Sequence, residues 1–243
     1  MRTIPAALLL ALAAAPGLVL AQDAGGDPAW SVEGGVSVLS DYVWRGVTQT
    51  DGDPALQAEA TVSHASGFYA GAWASTVDFG DPDDGIDHEI DVYAGWAGAL
   101  GENAELDLSV TRVTYPGANP GYGMDYTEFA ANLAFARYYT VGVAYSPDFV
   151  QLGGKGIYYA AAADYPLGES GLGLKLGAGW YDLDDAAGDS YGDWLVGLTR
   201  SFGPVDAELH YTDTVSYGQV LDENLDDARK ADGRLALRLT WAF

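Results

Sequence analysis

No cysteine occurs in this sequence, so an exported form of the chain would lack the disulfide staples that hold many secreted domains together. Its fold must draw stability from another source. Basic residues are scarce too, with 11 Lys and Arg against 35 Asp and Glu and a formal net charge of −24. That balance opposes binding to phosphate backbones and argues against a nucleic-acid partner. Beyond the amino-terminal segment, no stretch reaches the ~18 consecutive apolar residues of a membrane-spanning helix. If the chain crosses a membrane, it does so with strands.

The one concentrated apolar run lies at the start, in MRTIPAALLLALAAAPGLVLA. A single positive charge at Arg2, an apolar stretch from Ala6 to Leu20, and Val19 and Ala21 before a cleavage point predict a secretory signal peptide over residues 1–21. Removing it takes away only Arg2 among the charged residues and leaves an acidic mature domain over residues 22–243.

What the chain has in abundance is glycine and aromatic residues: 32 Gly, 16 Tyr and 7 Trp. These are turn formers and strand formers. The mature sequence resolves into about twelve segments of alternating polarity separated by turn residues, with no competing helical period. In the first, Val32, Gly34, Val36, Val38, Tyr42 and Trp44 oppose Glu33, Ser37, Asp41 and Arg45. In the fourth, Ile86, Ile90, Val92, Ala94 and Trp96 alternate with Asp87, Glu89, Asp91 and Tyr93, and His88 is the polar intruder on the apolar face. The phase is poorest at Arg112, where a bulge is expected.

The connections alternate between short and long. Turns at residues 65–67, 137 and 203–204 are tight, whereas acidic stretches at Asp51, Gly80, Pro116, Pro147, Asp182 and Leu221 are long and fall on one side. This asymmetry and the even strand number predict an all-β fold, an antiparallel transmembrane β-barrel of outer-membrane type. Soluble sandwiches and lipocalin-like barrels also alternate, but with shorter strands and charge outside. Aromatic residues fall into two expected rims: Tyr42, Trp44, Phe79, Tyr145, Trp180 and Trp194 at the loop end, and Tyr69, Trp96, Tyr139, Tyr165, Phe202, Trp241 and Phe243 at the turn end.

Inward positions on this reading carry Glu33, Asp41, Glu59, Asp87, Glu89, Asp91, Asp107, Glu128, Asp164, Asp193 and Glu208 against Arg45, Lys175, Arg234 and Arg238. A lumen dominated by carboxylates attracts cations and repels anions, so passive passage of small hydrophilic solutes with a mild cation preference is expected. Asp41 and Arg45 are expected to pair with each other or with charges such as Arg234 and Arg238 on the closing strand. Small residues expected to face inward, Ala70, Ala72 and Ala74 flanking Gly71, and Gly177 and Gly179, suggest open space, although a barrel of this size can also be filled by side chains and serve a purely structural role.

An enzyme is the rival of a different class. Only His64, His88 and His210 could act as imidazole bases, and the His64/Ser66 pair resembles part of a lipid hydrolase, but it falls at a turn without an evident third group. Acidic clusters at Asp81, Asp83, Asp84 and Asp87, and at Asp182, Asp184, Asp185 and Asp189, could hold Ca²⁺ through loop carboxylates, but they lack the glycine and terminal glutamate of an EF-hand, and solvated loops are the favoured reading. No metal or other cofactor is expected.

The last strand, GRLALRLTWAF, places Leu235, Leu237, Leu239, Trp241 and Phe243 on one face and resembles the terminal signal read by the barrel assembly machinery. Near the amino end, SDYVWRGVTQTDGDPALQ from Ser40 to Gln57 and SGFYAGAWASTVDF from Ser66 to Phe79 resemble the opening block of the TorF-type porins, also known as the conserved hypothetical Gcw_chp family. The resemblance implies a porin-like barrel in contact with outer-membrane lipid and lipopolysaccharide. It implies nothing specific about cargo.

Overall fold

The computed structural model describes residues 29–243, so the expected signal peptide lies outside the described residues. Twelve long strands close into one antiparallel barrel: β1 (Trp30–Leu39), β4 (Ala55–His64), β5 (Phe68–Thr76), β6 (His88–Ala99), β7 (Ala104–Thr114), β8 (Tyr126–Phe135), β9 (Tyr139–Ser146), β10 (Gly156–Pro166), β11 (Leu172–Asp182), β12 (Tyr191–Phe202), β13 (Val205–Val215) and β14 (Arg234–Ala242). Each pairs with its sequence neighbour, and β1 pairs with β14 to complete the ring. Closure gives every strand a neighbour on both sides, although β1 meets β14 only from Gly35 to Leu39, and this pairing replaces the missing disulfides as the means of stabilising the chain.

The pleat divides the side chains as the alternation predicts. Outward positions carry exposed apolar residues, among them Val36, Val62, Val92, Leu108, Leu198 and Leu237. Inward positions carry buried Ser37, Gln57, Thr61, Glu89, Asp107 and Lys175. This polarity is inside out relative to a water-soluble barrel.

Two details of phase differ from the sequence reading. At Arg112 there is no bulge, because β6 and β7 pair without interruption from Ile90↔Thr114 to Ala99↔Glu105. The exposed Arg112 guanidinium instead meets Thr127 at 3.3 Å and Asp125 at 3.5 Å, next to the end of β8. A charge near a strand end finds polar company without a register change. Second, Ala70 and Ala72 point outward while Gly71 and Trp73 face in.

All six long connections emerge at one end. They do not extend freely: Phe149, Leu183, Leu221 and Ala231, from three of them, are at most 4% exposed and form one apolar cluster with Val77, Tyr115, Tyr181 and Tyr191. Two short helices, α1 (Asp184–Ala187) and α2 (Gln219–Asn224), belong to this cap. Lys230 ties it down, donating 2.6 Å to the Phe79 carbonyl and 2.8 Å to Asp226. Burial pushes the Asp226 carboxyl above its usual range, whereas hydrogen bonds from Arg229 hold half-buried Asp227 down at about 2. The acidic loops thus carry an apolar underside that a charge count does not reveal.

Candidate functional site, a charged lumen crossed by a hairpin

The first long connection turns into the barrel. After β1 the chain forms a two-stranded ribbon, β2 (Val43–Trp44) and β3 (Val47–Thr48), whose tip residues Arg45 and Gly46 have φ of 49° and 81°. Two consecutive positive φ values are those of a tight primed hairpin turn, in which Gly is favoured at the second position. A Cβ on Gly46 would stand 2.7 Å from Thr214 Cγ2 and 2.9 Å from Asp193 Cβ, so the tip rests directly on the β12–β13 wall. The expected outer turn around Asp51 and Gly52 does exist, but it follows this hairpin.

Arg45 anchors the tip. Its side chain is wholly buried, Nη2 donates 2.9 Å to both carboxylate oxygens of Glu128 on β8, and the guanidinium lies 4.2–4.6 Å from the ring centres of Trp44, Tyr158 and Tyr181. Buried cation–ring contacts of this kind contribute about 2 kcal/mol or more. Asp41 anchors the base, accepting from Thr48 at 2.5 Å and Thr50 at 3.1 Å and pairing with Arg234 of β14 at 3.1 Å. The expectation that Asp41 reaches the closing strand agrees with this geometry, while Arg45 crosses the barrel.

Below the hairpin lies a cavity of about 140 Å³. It brings together eight of the expected inward charges: Asp41, Arg45, Glu59, Asp91, Lys175, Asp193, Glu208 and Arg238. Lys175 and Glu208 form an ion pair of 2.7 Å, and His210 Nδ1 stands 2.9 Å from the same carboxylate. Tyr158 donates its hydroxyl to Asp193 at 2.9 Å, and Arg238 bonds to Gln57. Asp91 is only 2% exposed, and its Oδ1 has no hydrogen-bond partner among the described residues.

The other expected lining residues are spread along the barrel. Glu89 is buried on the inward face of β6, and Asp107 accepts a 2.6 Å hydrogen bond from Tyr69. Asp164 is half-buried opposite Lys175, and Glu33 is exposed at the turn end. Asp87 corrects the expectation. It precedes β6, is exposed and contacts His88, while Ile86 turns inward into the cap cluster. Strand alternation starts at His88, so the phase set by Ile86 in the preceding loop does not carry into β6.

Several aromatic positions change place as well. Tyr42 and Trp44 belong to the inserted hairpin, Phe79 packs on Tyr115 inside the cap, and Tyr69 is buried in the lumen. Tyr145, Trp180 and Trp194 remain exposed toward the loop end, and Tyr139, Phe202, Trp241 and Phe243 toward the turn end. The inward glycines are not empty space: a Cβ on Gly71 would meet the Tyr93 hydroxyl at 2.5 Å, and one on Gly179 the Tyr158 hydroxyl at 2.0 Å. Tyrosine rings fill the room that small residues leave. Sequence alternation already placed Tyr93 inward, but no local signal separates a ring lying over a neighbouring glycine from one projecting into the channel.

His64 Nδ1 lies 2.7 Å from Ser66 Oγ at an exposed turn, with Trp30 packed on the imidazole. Among the described residues, no carboxylate stands within ion-pair distance of it. The loop carboxylates serve turns: Asp84 accepts from the Ile86 amide at 2.7 Å, and Asp184 from Ser190 at 2.8 Å.

Comparison with known proteins agrees with this architecture. The KdgM porin superposes with a TM-score of 0.54 at 8% identity, covering 87% of this chain and 98% of that one. The NanC porin does so with a TM-score of 0.53 at 11% identity, covering 88% and 99%. KdgM in complex with disordered oligogalacturonate superposes with a TM-score of 0.52 at 8% identity, covering 87% and 98%. At such identities the shared property is the fold, a closed twelve-stranded barrel of outer-membrane type. No curated protein matches the sequence. A family model described as "Bacterial protein of unknown function (Gcw_chp)" matches residues 23–236, and the chain belongs to that family.

Proposed function

We propose that this protein is an outer-membrane channel for passive diffusion of small hydrophilic solutes, selective for cations over anions. The observation that carries the reading is the charged cavity beneath the inserted hairpin, enclosed by a barrel whose outer surface is apolar. An apolar exterior suits lipid, and a hydrated, charged interior suits a solute path. Export through a signal peptide, loops facing outward, contact with lipid and lipopolysaccharide, and recognition of the Trp241/Phe243 strand by the assembly machinery complete the reading.

Charge decides the preference. Among the described residues, the cavity carboxylates Glu59, Asp91 and Asp193 have no basic side chain within 4.0 Å, whereas Arg238 is the one cavity guanidinium without a carboxylate at that distance. The unbalanced charge is negative, so cations are concentrated and anions are repelled. A polyanion such as oligogalacturonate, bound in one structural neighbour, meets the wrong sign here.

The full-length protein reconstituted in planar bilayers tests this. Discrete conductance steps and a reversal potential displaced toward the cation equilibrium value are expected under a salt gradient. Silence under all ionic conditions overturns the channel, and anion selectivity overturns the preference.

A further inference from the structure

Three adjacent strands present one row to the cavity. Glu59 of β4 is the direct cross-strand partner of Trp73 of β5, and Trp73 is the direct partner of Asp91 of β6. Directly opposed residues hold their Cβ atoms about 4.5–5.5 Å apart, so an indole stands between two carboxylates within reach of a single small ligand. All three line the cavity. Tyr42 from the hairpin closes the row from above, its ring 5.5 Å from Trp73 in an edge-on arrangement.

The row is unsatisfied. Neither Glu59 nor Asp91 has a basic partner among the described residues, and buried Asp91 leaves Oδ1 without a hydrogen bond. A buried carboxylate oxygen normally finds a donor. The neighbouring Arg45, Lys175 and Arg234 are already paired with Glu128, Glu208 and Asp41. Arg238, the remaining cavity guanidinium, bonds to Gln57 and forms no ion pair with either carboxylate, so Asp91 Oδ1 stays an open acceptor that a donor from a solute can fill.

We propose that Glu59, Trp73, Asp91 and Tyr42 form a binding subsite for a small aliphatic amine in its protonated form. The ammonium donates to Asp91 Oδ1 and to Glu59, its positive charge lies against the Trp73 ring, and the aliphatic stem packs on Tyr42. Neutral polyols offer no charge to this row, and carboxylate solutes are repelled by it. The site deepens the cation-selective channel reading and rests on it for its biological meaning, but amine binding can be measured without conduction.

The probe is putrescine, applied to the full-length barrel in planar bilayers and, separately, to the detergent-solubilised barrel by calorimetry with Trp fluorescence. Putrescine should interrupt potassium current in the unaltered protein, and Asp91→Asn should weaken that block and the calorimetric affinity by about tenfold, as expected for loss of one charge-assisted contact. Trp73→Leu should weaken both less, and Asp206→Asn, remote from the cavity, should leave both unchanged. Current steps with no putrescine block, or a block that Asp91→Asn leaves intact, overturn the subsite while the channel stands. Absence of steps overturns the channel; binding by calorimetry that Asp91→Asn removes then still supports the subsite, and no binding overturns both.

Discussion

Arg45 and Glu128, 83 residues apart in sequence, meet in the interior through two hydrogen bonds of 2.9 Å that one guanidinium nitrogen donates to the carboxylate. The pair links the inserted hairpin to β8, so the hairpin is held inside the barrel by a contact that can be removed without cutting the wall. Breaking one partner of a buried ion pair costs about 3–5 kcal/mol because the other charge is left uncompensated. Arg45→Ala should free the hairpin from the wall and roughly double the single-channel conductance. Glu128→Gln, which keeps a hydrogen-bond acceptor, should give a smaller increase with more frequent fluctuations. Conductance equal to that of the unaltered protein in both variants would show that the hairpin does not limit flow.

Gly46 supplies the second hold on that hairpin. Its φ of 81° disfavours any side chain, and an added Cβ would press on Thr214 and Asp193. Gly46→Val should cost about 1–3 kcal/mol locally through strain and overpacking. The expected outcome is a protease-sensitive first loop on a barrel whose circular dichroism remains that of intact β-structure. A side-by-side digestion of the two proteins checks it.

Much of this was legible from the chain alone. Strand number follows from alternation because inside and outside differ so strongly in polarity, and the expected twelve or so segments become the twelve strands of the barrel. Alternation is local, however, and fixes only which face a residue takes within one strand. It cannot report that the chain after Leu39 leaves the wall, that Ile86 rather than Asp87 turns inward, or that Leu183 and Leu221 meet under the acidic loops. Those outcomes depend on partners from distant strands. The charges around the cavity were readable as inward, but the Glu59, Trp73 and Asp91 row required the register of three strands.

Register also explains why small residues and tyrosines share the inner face. A Cβ on Gly95 would lie 2.4 Å from the Tyr69 ring, whose hydroxyl donates to Asp107 at 2.6 Å. Gly95→Ala should displace that ring and leave Asp107 without its donor, at a cost of about 1–3 kcal/mol. The unfolding midpoint in urea should fall with little change in slope. A midpoint that does not move would mean the ring has another seat.

Closure of the barrel gives the last prediction. At the seam, Gly34 and Phe243 exchange two backbone hydrogen bonds of 3.0 and 2.9 Å, one residue beyond the assigned end of β14. The Phe243 ring lies across Gly34: a Cβ there would stand 3.0 Å from a ring carbon and 3.0 Å from the Glu59 carbonyl oxygen. The terminal aromatic is therefore seated on the first strand as well as exposed to the surroundings at 67%. Gly34→Val should push the ring away and weaken the pairing of the two ends, slowing refolding into lipid vesicles and lowering the temperature at which the folded band is lost on electrophoresis. Phe243→Ala removes the ring but keeps the backbone bonds, so Gly34→Val should be largely tolerated in that background. Equal defects from Gly34→Val with and without the ring would place the obstruction at the Glu59 carbonyl, which stands as close to that position as the ring does.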